Sequence, residues 1–193
     1  MTSNSHRALV LFLLALLMAG TRLNHFAVVP DASWAVFFIG GFYLRSWTRW
    51  AFPALMALAV LADWVVISHQ GLAFWNHYCV SPAYGCLVPA YLAMWMGGRW
   101  LNHRYTSASL KALGSFALAL VASVAVCHLI AQGGFYWTSA NVVEPSFAGW
   151  LKNYSDWLLP YLGTVALYTV PVALLQWGTE QFSGTADSHH ATR

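Results

Sequence analysis

Charge is what this sequence has least of. Nine Lys or Arg and six Asp or Glu make up 8% of 193 residues, where an ordinary soluble domain carries roughly a quarter. A water-soluble fold could not cover itself with so few charges. The basic residues never gather into a run that would neutralise a line of phosphates, which argues against nucleic acid as a partner. The chain has no GxxxxGK[ST] phosphate loop to cradle a nucleotide. Cysteine is sparse as well: Cys79, Cys86 and Cys127 form no CxxC and no Cys/His zinc pattern. Nothing repeats along the chain.

What is abundant is apolar surface. Hydrophobic residues make up 59% of the chain and fall in blocks separated by short polar stretches. There is room for six spans of about 20 residues each. The predicted fold is therefore all-α: one integral membrane domain over residues 1–182 with six transmembrane helices, then a disordered cytoplasmic tail at 183–193. The six spans read as Ala8 to about Arg22, Ala32 to Leu44, Phe52 to Ile67, Tyr84 to Gly98, Leu110 to Ala131, and Trp157 to Trp177. The second is the shortest. Pro30, Pro53, Pro82 and Pro160 fall near span starts, where a missing N–H costs little, while Pro89 and Pro171 fall inside spans and should kink them. The His189-His190 pair in the tail reads as incidental rather than as a metal site.

The first block, Ala8 to Gly20 behind Arg7, also fits a secretory signal peptide. No small-x-small cleavage site follows it, and apolar character continues through Phe26 to Val29, enough for a span.

Charge placement predicts orientation. With a cytoplasmic N-terminus, the inner segments hold Arg7, Arg45, Arg49, Arg99, Arg104, Lys111 and Arg193, and the outer ones only Arg22 and Lys152. That asymmetry is the positive-inside pattern, so both termini are expected in the cytoplasm. The connections at 21–31, 68–83 and 133–156 then face outward, and the two longer ones are rich in aromatics, Gly, Asn and His.

The most informative outer segment runs from Gly71 to Tyr84 and contains Trp75, His77, Tyr78 and Cys79 but no Lys, Arg, Asp or Glu. An uncharged, aromatic, water-facing loop suggests a lined cavity for a large, mostly neutral ligand. The same aromatics also fit an ordinary interfacial belt. Cys79 and Cys86 are a possible disulfide only if helix geometry allows it, and Cys127 reads as a small core residue. A soft thiolate at Cys79 would also be a capable ligand for a metal carried inside a cofactor.

Asp63, near the outer end of the third span, is costly in a membrane and should face a cavity or a partner, or else lie shallow enough to meet water or cap a loop. His25, His69 and His77 fall on the outer face, His103 in an inner loop and His128 in the fifth span, without the facing-helix pairing of a membrane cytochrome. In the first span Ala15 and Ala19 sit one turn apart on one face and would let another helix approach closely.

Six short spans, Ala15-xxx-Ala19 in the first helix and an aromatic loop between the third and fourth together resemble the S-components of energy-coupling-factor transporters, which capture vitamins. The segment His77-Tyr78-Cys79-Val80-Ser81-Pro82 is similar to the cobalamin-specific S-components of the BtuM type, in which a loop cysteine ligates the corrin cobalt. The resemblance covers essentially the whole chain. It implies a bacterial cytoplasmic-membrane protein that binds cobalamin as its transported ligand, with Cys79 on the cobalt and the Ala15/Ala19 face docked on a T-subunit driven by two ATPases. Hydrolysis would then belong to those partners. Corrin is a broad apolar disc edged by amides, and His25, Asp63, Trp75, Tyr78, Tyr84, Tyr136, Trp137 and Asn141 are the expected substrate-binding residues. A Cys79 thiolate would weaken the opposite axial ligand and so promote loss of cyanide from cyanocobalamin. Two other classes compete: a non-transporting membrane subunit whose aromatic loop contacts another protein, and a haem or quinone redox protein. An S-component for a different vitamin is a further alternative.

Overall fold

The computed structural model describes residues 4–23, 29–77, 80 and 82–190, without the side chains of 76 and 182–190. Among these residues the chain is helical, with no strand. Six α-helices follow one another: α1 Asn4–Leu23, α2 Ser33–Tyr43, α3 Thr48–His69, α4 Leu87–Arg104, α5 Leu110–Thr138 and α6 Phe147–His190. Short 3-10 turns at Arg45–Trp47, Phe74–Asn76 and Pro82–Cys86 join them.

Among the described residues four segments are long and apolar enough to cross a membrane: Asn4–Leu23, Arg45–His69, Leu110–Thr138 and Phe147–Gln181. The 11 residues of α2 rise only about 16 Å, roughly half the hydrocarbon thickness. The 18-residue α4 carries Arg99, Asn102, His103 and Arg104 in its last turns, and this polar end removes it from the same class. The outward faces are apolar: Phe12 and Leu16 on α1, Leu61 and Trp64 on α3, Leu118 and Val121 on α5, and Leu167 and Leu174 on α6 are all exposed. In water such surfaces would drive association. Against lipid they are the right covering, and the protein is membrane-embedded.

Each helix runs opposite to the one before it. Asp63 of α3 meets Arg22 of α1 near one end of the bundle, hereafter the Asp63 end. At the other, the Glu180 end, Tyr43 of α2 and Tyr105 behind α4 reach Gln176 and Glu180 of α6. The centre is a close, parallel crossing of α2 and α4. A Cβ placed on Gly41 would sit 2.0 Å from the Trp95 carbonyl oxygen, and one on Gly98 would sit 1.9 Å from that of Phe38. Only glycine lets the two backbones approach so closely. Trp95 is fully buried against this crossing, donates from Nε1 to Thr48 Oγ1 at 3.0 Å, and meets Phe52 edge-on.

Several predicted boundaries change. The fifth span extends past Ala131 to Thr138, and the sixth starts at Phe147 rather than Trp157. The third outer connection, read as 133–156, therefore shrinks to residues 139–146. Polar residues such as Gln132, Asn153 and Asp156 dilute the hydropathy of those helix ends without breaking them. Pro89 lies in the first turn of α4, where its missing N–H has no intrahelical partner to lose, so it kinks nothing. Pro160 is interior to α6 together with Pro171. The backbone of α6 continues through His190, so residues 183–190 of the predicted tail are helical.

Candidate functional site

At the Asp63 end, one arginine gathers four elements. Arg22 closes α1 and is 7% exposed. Its guanidinium grips Asp63 of α3 with two parallel bonds, Nε to Oδ1 at 2.6 Å and Nη2 to Oδ2 at 2.7 Å. Nη1 points at Asp31 Oδ2 at 3.1 Å, Ser33 Oγ at 2.8 Å and Tyr91 OH at 3.2 Å. Asp31 in turn accepts from the Ser33 backbone N–H at 2.9 Å and hydroxyl at 2.7 Å, at the start of α2. An arginine at a helix C-terminus and a carboxylate at a helix N-terminus both complement the helix dipoles. The fork geometry is what makes a buried Arg–carboxylate pair tolerable in a membrane protein.

Two carboxylates against one guanidinium leave surplus negative charge, and hydroxyl donors meet it. The Tyr84 hydroxyl donates to Asp63 Oδ2 at 2.6 Å. Burial, followed by this bond to a carboxylate, pushes the Tyr84 phenol well above its ordinary value, so it stays a neutral donor. Tyr84 also meets Phe74 edge-on, with centroids 6.1 Å apart at 87°, and Phe74 is itself buried. Phe74 and Tyr84 thus close the base of the segment between them, and Asp63 with Arg22 anchors that base to α3 and α1.

A second cluster at this end lies between α5 and α6. His128 of α5 is buried, stacks on Tyr154 at 4.8 Å, and bonds through Nε2 to the Tyr154 carbonyl at 3.1 Å. A carbonyl can only accept, so Nε2 carries the proton. Trp34 of α2 stacks on Tyr161 at 4.6 Å and 11°. Nearer the tips of α5 and α6, Gln132 Nε2 donates to Asn153 Oδ1 at 2.9 Å. Among the described residues Gln132 Oε1 and Trp150 Nε1 are buried without a hydrogen-bond partner, one acceptor and one donor on facing helices. Buried polar atoms are normally met by protein, water or a ligand.

The residues nominated from sequence are only partly brought together. His25, Tyr78 and Cys79 lie outside the described residues. Asp63 is half-buried and is an ion-pair partner of Arg22. Tyr84 joins it in the same network. Trp75 is 82% exposed, held edge-on by Phe74. Tyr136 and Trp137 belong to the last turn of α5 rather than to a loop. The Tyr136 hydroxyl accepts from the Ser146 N–H at 3.2 Å, and Trp137 is half exposed. Asn141 is exposed in the connection, its N–H bonded to Ser139 Oγ. Ala15 and Ala19 are half-buried, between the core residues Leu14 and Met18 and the exposed Phe12 and Leu16. Among the described residues Cys86 and Cys127 form no disulfide.

Arg22, Asp31, Ser33 and Tyr91 were not among the nominated residues. The signal was an arginine and two aspartates close to span ends, where unpaired charges are rare. An apolar cleft lies elsewhere, at the Glu180 end between α2, α5 and α6. Among the described residues no group of three His, Cys, Asp or Glu is placed to hold a metal ion. No protein-family model matches the chain, and no curated protein matches it.

Proposed function

We propose that this protein is a six-span membrane receptor for cobalamin, of the S-component type, in which the segment bearing Cys79 meets the corrin cobalt. The observation that carries the reading is the Phe74–Tyr84 clamp seated on Asp63 and Arg22, which fixes the two ends of that segment at one end of the bundle. Fixed ends lower the ordering cost of a segment that must close on a large rigid ligand. The choice of cobalamin rests on His77-Tyr78-Cys79-Val80-Ser81-Pro82.

The surroundings suit such a ligand. Leu72, Trp75, Trp137, Val143 and Phe147 are exposed at the same end and offer flat apolar surface to a corrin disc. A carboxamide supplies an acceptor for Trp150 Nε1 and a donor for Gln132 Oε1, the two groups left without partners. Water would serve them equally, so the amide match supports the ligand class without choosing it. A Cys79 thiolate on cobalt would labilise the opposite cyanide, making the receptor a slow decyanating reagent as well. In this reading the Asp63 end faces outward, both termini lie in the cytoplasm, and the Ala15/Ala19 face meets a T-subunit with its ATPases.

Equilibrium binding to a panel of vitamins tests the reading. Purified protein should bind cobalamin with a corrin absorption that survives gel filtration and should leave the other vitamins free. Binding of another vitamin instead would keep the receptor and change the cargo. A haem Soret band, or no ligand at all, would favour a redox or interaction subunit.

A further inference from the structure

The cleft at the Glu180 end plays no part in ligand capture at the Asp63 end. Phe38 and Phe42 of α2 form its floor, Leu113 and Phe116 of α5 one wall, and Val172 and Trp177 of α6 the other. Its surface is almost wholly apolar. Polar bonds hold α6 across the end of the bundle: Tyr43 OH donates to Gln176 Oε1 at 3.0 Å, Tyr105 OH to Glu180 Oε1 at 2.9 Å, and the Ala108 N–H to Glu180 Oε2 at 2.9 Å. Ala112 of α5 and Ala173 of α6 present small side chains to the cleft. An unfilled apolar gap forfeits packing, and inside a bilayer the available filler is an acyl chain.

Charge at the rim selects the kind of lipid. Arg104 and Lys111 stand on either side of the Tyr105–Ser109 connection that borders the cleft, and both are exposed. Neither forms an ion pair among the described residues. The Arg104 guanidinium lies 5.1 Å over the Trp100 ring, which holds it at the level where indoles meet headgroups. The acid at this rim, Glu180, is already met by Tyr105, by the Ala108 N–H and by Gln176 Nε2 at 2.6 Å. The two cations are therefore left for an outside anion.

We propose that the cleft binds one acyl chain of an anionic phospholipid whose phosphate lies between Arg104 and Lys111. Basic pockets between helices, beside an apolar slot, are a recurrent way of selecting such lipids. The site is independent of cobalamin capture, and its test uses no vitamin.

Native mass spectrometry of the full chain, titrated with phosphatidylglycerol, with phosphatidylcholine of the same chains and with glycerol 1-phosphate, separates the contributions. Phosphatidylglycerol should bind roughly thirty-fold tighter than phosphatidylcholine, about a factor of five per cation, and glycerol 1-phosphate should not bind measurably. Arg104→Gln with Lys111→Gln should erase the preference, while Arg45→Gln with Arg49→Gln, an equal charge change on the α2–α3 connection and the start of α3, should keep it. Ala112→Phe should weaken both lipids by filling the slot, with Ala173→Leu doing the same from the opposite wall should the first variant not fold. Equal binding of the two lipids to the native chain would overturn the proposal. So would loss of preference in the Arg45/Arg49 variant, which would reveal surface charge alone, or full binding in both slot-filling variants.

Discussion

Arg22 and Asp63, 41 residues apart, meet through two parallel bonds of 2.6 and 2.7 Å and so tie the end of α1 to α3 beneath the Phe74–Tyr84 clamp. Arg22 is buried and Asp63 half-buried, so the two are not equivalent to a pair of surface charges. Removing Arg22 leaves Asp63 and Asp31 without a cation, and removing Asp63 leaves Arg22 with Asp31 alone. Asp63→Asn or Arg22→Gln should each lower stability by about 3–5 kcal/mol. Joint replacement by Arg22→Met and Asp63→Leu should cost less than the sum, because Asp63 no longer waits for a cation, although Asp31 still loses its guanidinium partner and keeps only Ser33. Thermal unfolding in detergent of the two singles and the double variant checks this. Additive losses would mean that the two residues act separately.

The α2–α4 crossing makes a sharp contrast between glycines. Gly98→Ala places a methyl carbon 1.9 Å from the Phe38 carbonyl oxygen, a backbone atom that cannot swing away. It should destabilise by about 1–3 kcal/mol or more. Gly163→Ala meets nothing within 4 Å in α6 and should be neutral or stabilising by up to ~1 kcal/mol. Similar melting temperatures for the two variants would show that the backbones are not in contact.

Much of the helix order could be read in advance, because six apolar blocks lie between polar punctuation and each holds an α-helix. Helix ends were harder. Gln132, Trp150 and Asn153 are polar or amphipathic and read as loop, yet they continue α5 and α6 beyond the apolar stretch. The paired glycines Gly40-Gly41 and Gly97-Gly98 stood in plain view, but which helices they would bring together depends on a crossing that no local pattern encodes. At the site, Asp63 was rightly suspected of needing a partner. That partner, Arg22, was hidden because a basic residue at a span end is normally an orientation signal. The clamp on Tyr84 likewise depends on a tertiary contact between α3 and the segment before α4.

The buried N–H of Trp150 gives a test that separates packing from recognition. Trp150→Phe removes a donor that has no acceptor among the described residues, so stability should hold or rise by up to ~1 kcal/mol. If a corrin amide uses that donor, affinity for cobalamin should fall about tenfold, the loss of one hydrogen bond. Isothermal titration beside thermal melting reads both quantities. A less stable variant with unchanged affinity would assign Trp150 to packing alone.

Ala15 and Ala19 are half-buried on α1, and Ala15 also packs against the core. If the face serves docking, replacing both with Leu should leave cobalamin binding within about twofold, a change of about 0.5 kcal/mol or less. Uptake by cells that carry a coupling module should drop severalfold. Binding that collapses together with uptake would place the two alanines in the fold itself.

The most direct test of the central claim is the visible spectrum of cobalamin bound to the native chain and to Cys79→Ser. Thiolate coordination changes the electron density on cobalt, so the corrin bands should shift on binding to the native protein. The serine variant should show no such shift, because a hydroxyl is a far poorer donor at neutral pH. Cys86→Ser and Cys127→Ser should retain it. A shift that persists in Cys79→Ser, or disappears only when His25 or His77 is replaced, would contradict thiolate ligation and with it any thiol-driven loss of cyanide.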